Sequence, residues 1–358
     1  MGDRNFESAR RESGRNIGNR AGAGRAVRLL AAVLAALALV AAGCGGGRGS
    51  DGQPSDGANV RNITVVLDWT PNTNHTGLYA ARELGYFEEA GLNVDIVLPG
   101  DAGSAQLVAA GTAQFGVSTQ ESVMMARAQG VPVVSVAAVI QHNTSGFAAP
   151  ADRGIRTPKD FEGKTYGGWG DPLEQAILRT VMAKAGGDPE KLRIVNIGTS
   201  DYFTAVTRDI DFAWIFYGWT GIEAELRGFP LDVVYLKDMA PELDWYTPVL
   251  IAGEKILSEE PDTAKAFLKA AARGYEYAVE HPEEAADILI RAEPDLDADL
   301  VLASQKWLSA HYRADAPRWG EQKREVWESF GAWLEDNGLL EREVDIDRAF
   351  TNDFLPEG

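Results

Sequence analysis

The chain has 358 residues, 45% of them hydrophobic and 24% charged, with a formal charge of −19 at pH 7. That length exceeds one comfortable core, so two lobes are expected. The charge excludes nucleic acid and argues against charge-driven docking on anionic lipid. The one cysteine excludes an internal disulfide, and the four histidines (75, 142, 281, 311) are too scattered to suggest a metal site.

In chain order, a leader comes first. Seven arginines fall between Arg4 and Arg28, followed by the fourteen apolar residues "LLAAVLAALALVAA", Leu29 to Ala42. A basic stretch, a short apolar run and small residues describe an export signal over residues 1–43, too short to span a bilayer comfortably. "AAGC" resembles a bacterial lipobox, with Ala41 where leucine is commoner, so Cys44 is expected to be the lipidated first residue and a membrane anchor. A flexible glycine-, serine- and proline-rich tether then runs through 44–62. Removing the leader removes seven arginines and the three acids Asp3, Glu7 and Glu12, which takes the formal charge from −19 to about −23.

The folded part alternates. Short β-rich runs at 63–67, 94–98, 115–117 and 131–139 are separated by helical stretches at 77–84, 104–110 and 121–128. A second set follows: strands at 165–168, 193–197, 212–216 and 231–235, with helices at 172–185, 202–208 and 219–227. After "ELDWYTPVLIAGEKIL" the pattern is helical, at 261–279, 282–290, 297–310 and 319–337. This is α/β architecture with mainly parallel sheets flanked by helices. Lobe 1 is expected over 63–145 and again over 247–358, and lobe 2 over 146–246.

In open α/β sheets ligands bind beyond the carboxyl ends of the strands. The residues there are Asp68, Trp69, Asn74 and His75; Ser118, Thr119 and Glu121; Gln141, His142, Asn143 and Ser145; Trp169, Asp171 and Glu174; Tyr217, Trp219 and Glu223; Asp244, Trp245 and Tyr246. These loops hold rings, amides and carboxylates but no lysine or arginine. Such a set suits a flat, neutral or cationic, nitrogen-bearing ring, since aromatic faces stack and carboxylates accept from ring amines.

Three stretches sharpen the set. In "GGWGDPLEQAI", Asp171, Pro172 and Glu174 read as a capping box, which accounts for both acids structurally. It leaves Trp169 between glycines as a stacking platform. In "WIFYGWTGIEAE", Trp214 and Phe216 share one side of a strand and read as core, leaving Tyr217 and Trp219 nearer the cleft. Asp244-Trp245-Tyr246 stands where the chain returns to lobe 1, at a hinge or cleft rim. His281 and His311 read as solvated surface. There is no Gly-x-Ser-x-Gly elbow, phosphate-binding loop or helical His-Glu-x-x-His.

The stretches "LDWTPNTNHTGLYAARELGYFEEAGLNV", "LVAAGTAQFGVSTQE", "TPKDFEGKTYGGWGDPLE" and "FAWIFYGWTGIEAE" resemble the thiamine-pyrimidine-precursor binding proteins of ABC importers. That group lies within the nitrate-, sulfonate- and pyrimidine-type periplasmic binding proteins. The resemblance covers roughly 63–290. It implies a type II two-lobed fold closing on a ligand, with crossings near 145–149 and 246–251.

The same superfamily includes fungal thiamine-pyrimidine synthases, which consume an active-site histidine together with lysine-bound pyridoxal phosphate. By the pattern "LDWTPNTNH", His75 matches that histidine. The synthase lysine, however, should follow "QFGV", where Ser118 stands, and the cysteine-rich run is replaced by "LDWYTPVLI". Without a lysine amine there is no Schiff base. His75 is therefore expected to hydrogen-bond or line the cleft.

The resemblance thus implies a non-enzymatic, cofactor-free binding lipoprotein, extracytoplasmic and monomeric, whose partners are an ABC permease and ATPase. The expected ligand is a formylaminopyrimidine or hydroxymethylpyrimidine. Trp69 or Trp169 would stack against Tyr217 or Trp219, and Glu174, Glu223 or Asp68 would accept from the exocyclic amine. Riboflavin is the stronger rival ligand; a sulfonate or nitrate is disfavoured by the absence of lysine and arginine.

Overall fold

The computed structural model describes residues 60–357, Asp101 and Thr199 excepted. The export signal, the lipidation at Cys44 and all but the end of the tether fall outside the described residues. The first strand begins at Arg61, two residues before the expected start.

Strands β1 (Arg61–Val66), β2 (Leu92–Val97), β3 (Phe115–Ser118) and β4 (Val133–Ala138) belong to the first sheet. Strands β5 (Ser145–Pro150), β6 (Thr165–Gly168), β7 (Arg193–Asn196), β8 (Phe212–Phe216) and β9 (Leu231–Tyr235) make the second, and β10 (Val249–Gly253) returns to the first. The orders are β2-β1-β3-β10-β4 and β7-β6-β8-β5-β9. One order maps onto the other, with β5 taking the place of β10.

Both sheets are mixed. β10 runs antiparallel to β3 and β4, and β5 antiparallel to β8 and β9, while the remaining pairings are parallel. Four strands in each sheet thus point one way and one is reversed. The reversed strand is the one that arrives from the other sheet, so it enters at the carboxyl ends of its neighbours.

The chain therefore crosses over residues 139–144 and again between β9 and β10, earlier than the crossings expected at 145–149 and 246–251. The stretches read as crossings are β5 and the start of β10, buried along their whole length. "SGFAAP" and "VLIAG" are short apolar runs without alternation, and such runs do not distinguish a buried strand from other buried chain.

Helices cover both sheets. Pro261–Glu280 packs on Thr76–Glu83 at backbone contact, since a Cβ at Gly274 would lie 2.0 Å from the Gly77 carbonyl. Two helices from the end of the chain reach the second lobe. From Arg324–Asp336, Trp333 Nε1 donates to Thr180 Oγ1 at 3.2 Å, on the helix Pro172–Lys184. From Ala298–Tyr312, Ser304 Oγ donates to the Gly218 carbonyl. The expected helix at 319–337 begins only at Arg324. Trp319 is instead buried in an irregular segment, stacked on Tyr275 with centroids 4.2 Å apart.

Candidate functional site

At the end of β1, Asn72 caps a short 3-10 turn, Thr73–His75, its side chain accepting from the Asn74 N–H at 2.9 Å. His75 closes that turn from inside. Its Nδ1 accepts the Asn72 N–H at 3.2 Å, and its Nε2 lies 2.8 Å from Asp68 Oδ1. A backbone N–H can only donate, so Nδ1 is bare and Nε2 carries the proton given to Asp68. His75 is 0% exposed, whereas the Asp68 side chain keeps 25%. Trp69 beside it is exposed. The turn is anchored on the far side by the Tyr275 hydroxyl donating to the Asn74 carbonyl at 2.8 Å and by Thr73 Oγ1 2.6 Å from Ser304 Oγ.

Continuing the β1–β3 register brings Ser118 beside Asp68. Ser118 is buried, and Thr119 caps the helix Gln120–Ala128. Gln120 ties this helix start to the returning crossing, exchanging hydrogen bonds with the Tyr246 backbone at 2.9 and 3.0 Å. Glu121, half-buried in the first turn, accepts from Trp245 Nε1 at 2.8 Å. Burial pushes its carboxyl up to about 7. Hydrogen bonds from Thr119, the backbone and Trp245 oppose that rise, while the charge of Asp171 adds to it.

At the end of β6 the chain is held by Glu174, which is buried. Its carboxylate accepts from the Tyr166 hydroxyl at 2.5 Å and from the N–H groups of Trp169, Gly170 and Asp171 at 3.1, 2.9 and 3.1 Å. The capping box read from the sequence is present, with Asp171 accepting from the Leu173 N–H at 2.8 Å. The loop so fixed presents Trp169 with 47% exposure. Its ring lies 5.5 Å from Trp214 and 20° from parallel; Phe216 lies 6.2 Å from Trp214 at 25°. Trp214 in turn meets Trp245 edge-on at 6.1 Å, which links this aromatic column to Glu121.

Phe216 corrects the reading of it as core: it is 40% exposed, because β8 ends there and its last side chain projects beyond the sheet. The expected helix at 219–227 starts as a π-helical turn, Tyr217–Gly221. That turn carries Tyr217 away into contact with Tyr235 and Trp307, its hydroxyl bound to Glu225. Trp219 packs among first-lobe helix residues including Tyr79, Leu289 and Val301. Glu223 pairs with Arg227 one helical turn on.

The two crossings are laced together. Asn143, fully buried, receives its neighbours' donors: its Oδ1 accepts from the Ser145 N–H and hydroxyl at 2.9 and 2.6 Å, and its own amide donates to the Leu243 carbonyl at 3.0 Å. Tyr246 is buried, its hydroxyl accepting the Lys323 N–H at 2.9 Å, and burial pushes that hydroxyl up to about 12. His142 lies 2.6 Å from Asp244 and 2.9 Å from Asp315, and the Asp244 hydrogen bond leads in raising its pKa. His311 departs from the surface reading: it is half-buried on Trp307 at 3.8 Å, and burial lowers its pKa.

Of the sequence-expected residues, Asp68, Trp69, Glu121 and Trp169 therefore keep exposed or half-exposed side chains at the strand ends. His75, Asn143, Glu174 and Tyr246 lie beneath them as support, and Tyr217, Trp219 and Glu223 turn toward helices. Phe216 was missed, although its position at the end of the strand parallel to β6 was legible. Among the described residues no cluster of three or more His, Cys, Asp or Glu is placed to hold a metal, and no helix is long and apolar enough to cross a membrane.

Two mixed sheets of one strand order, joined by two crossings and flanked by helices, define the periplasmic-binding-protein fold. The aliphatic sulphonate binding protein SsuA of Escherichia coli shares it at a TM-score of 0.63, with 14% identity over 83% of this chain and 94% of that one. The chain itself belongs to the NMT1/THI5-like family, which matches residues 72–285. It is 32% identical to the formylaminopyrimidine-binding protein of Halalkalibacterium halodurans, over 83% of this chain and 92% of the relative. It is also 29% identical to the 4-amino-5-hydroxymethyl-2-methylpyrimidine phosphate synthase of Legionella pneumophila, over 82% and 92%.

Proposed function

We propose that this protein is the extracytoplasmic substrate-binding subunit of an ABC importer, anchored through a lipidated Cys44, which captures an aminopyrimidine precursor of thiamine. The observation that carries the reading is the chemistry of the strand ends: exposed Trp69, Trp169 and Phe216, the carboxyls of Asp68 and Glu121, and no lysine or arginine in the loops that carry them. An anion such as a sulfonate would meet carboxyl groups without a countercharge, whereas an aminopyrimidine offers a π-face and N–H donors to match. The ring stacks on lobe 2, a carboxylate accepts from the exocyclic amine, and preference of the ligand for the closed form draws the lobes together for a permease and its ATPase. The protein acts as a monomer.

The synthase relatives raise a catalytic alternative, which the residues do not fit. Ser118 occupies the place where the resemblance calls for lysine, and the stretch "LDWYTPVLI" leading into β10 holds no cysteine. His75 offers no exposed atom and keeps both ring nitrogens bonded, Nδ1 to the Asn72 N–H and Nε2 to Asp68.

Thermal unfolding with formylaminopyrimidine, hydroxymethylpyrimidine, riboflavin or taurine tests the reading. At a hundredfold excess over Kd a ligand adds about 2.7 kcal/mol, which raises Tm by several degrees. A rise with a pyrimidine alone is the expected result. A rise with riboflavin or taurine alone would overturn the ligand class, and release of a pyrimidine with loss of mass at His75, on incubation with pyridoxal phosphate, iron and oxygen, would overturn the transport role.

A further inference from the structure

We infer that His75 is a positioning residue: as a neutral imidazole it holds one oxygen of Asp68, leaving the other to accept from an exocyclic amine, so that the site selects 4-aminopyrimidines over their 4-oxo counterparts. This rests on the ligand class proposed above and adds its determinant.

His75 is 0% exposed, so it touches no ligand. The Asn72 N–H holds its Nδ1 and forces the proton to Nε2, which can then only donate to Asp68 Oδ1. The imidazole cannot turn, because the 3-10 turn that carries it is pinned by Tyr275 and Ser304 through Asn74 and Thr73. Asp68 thereby has a fixed orientation. Among the described residues no protein donor meets its Oδ2, and the side chain keeps 25% exposure at the carboxyl end of β1. No neighbouring strand-end loop carries lysine or arginine to neutralise it. An oxygen held in this way requires a donor from the ligand. A 4-amino group supplies one. A 4-oxo group sets lone pairs against a carboxylate, and a site built for a donor rejects such an analogue strongly.

The test uses the whole chain and two ligands, 4-amino-5-hydroxymethyl-2-methylpyrimidine and its 4-oxo analogue. Calorimetry is expected to show a preference for the amino form of about a hundredfold or more. Asp68→Asn should collapse or reverse that ratio, since an amide can donate to the oxo group. His75→Phe should cut the ratio, and His75→Gln, which keeps an N–H for Asp68, should restore part of it. Nitrogen-15 spectra at pH 7 are expected to show His75 as the Nε2–H tautomer without any ligand. Equal binding of the two ligands by the wild type would overturn this inference and leave the proposed function standing; binding of neither would remove both. If His75→Phe weakens both ligands by one factor and leaves the ratio intact, or if the proton lies on Nδ1, His75 has no positioning role.

Discussion

The two lobes share a strand order, and each places a carboxylate at the end of its leading strand, but the two acids have opposite fates. Glu174 in lobe 2 is buried and meets three backbone N–H groups and a tyrosine hydroxyl. Asp68 in lobe 1 meets one imidazole proton and keeps a quarter of its surface. A carboxylate whose lone pairs are all taken by the chain holds a loop in shape; one with an oxygen left over is available to a ligand. Lobe 2 spends its acid on presenting Trp169, and lobe 1 spends its histidine on presenting an acid. Lobe 2 thus presents a ring at its strand end, and lobe 1 a carboxylate.

The largest effect should come from breaking the structural acid. Glu174→Ala leaves the buried Tyr166 hydroxyl and three part-buried N–H groups without their acceptor, at a cost of about 2–4 kcal/mol of folding stability, measurable by urea denaturation. A loss under about 1 kcal/mol would mean that Glu174, like Asp68, is not fully engaged by the chain.

Next, the ring face is sharpened by Trp169→Ala, which should weaken aminopyrimidine binding by about 1–3 kcal/mol while folding stability changes little, because the ring is already half in solvent. Phe216→Ala should behave in the same way and Tyr217→Phe should not. Titration calorimetry that found Tyr217→Phe the more damaging would move the stacking face to the π-helical turn.

The smallest effect concerns Glu121, whose carboxyl burial pushes up from an ordinary value of 4.5 to about 7. A folded-state value above the unfolded one means that the protonated acid favours the fold. That contribution is complete below about pH 4.5, is lost as pH climbs toward 7, and is then constant. Across this window the wild type should lose on the order of 1–2 kcal/mol relative to Glu121→Gln. Parallel stability profiles for the two proteins would show that Glu121 is not held in a poorly hydrated site.

Much of this was legible in the residues. Alternating apolar runs set most of the strands and helices, because burying one face of each is the same demand in any α/β protein. Asp171, Pro172 and Glu174 announced their cap, since capping is a local bond between residues three apart. Trp69 and Trp169 stood in loops where a core would not need them. Phe216 was misread because side-chain alternation tells which face a residue shares and not how far the neighbouring strands extend. The missing lysine set His75 apart from sacrificial chemistry in the sequence reading, but its tautomer depended on an N–H three residues back in a turn of specific shape.

The sequence by itself determined the α/β class, the acidic character, the aromatic and carboxyl chemistry of the strand ends and the absence of cations from their loops, all of which are carried by residue type and short-range spacing. Only the tertiary structure decided which carboxylates are spent and which remain open, which rings stand free, and that the reversed strand of each sheet is the one arriving from the other lobe. Those outcomes depend on pairs such as Trp245 with Glu121, Ser304 with Gly218 and Asn143 with Leu243, which lie about a hundred residues apart, and no local periodicity records them.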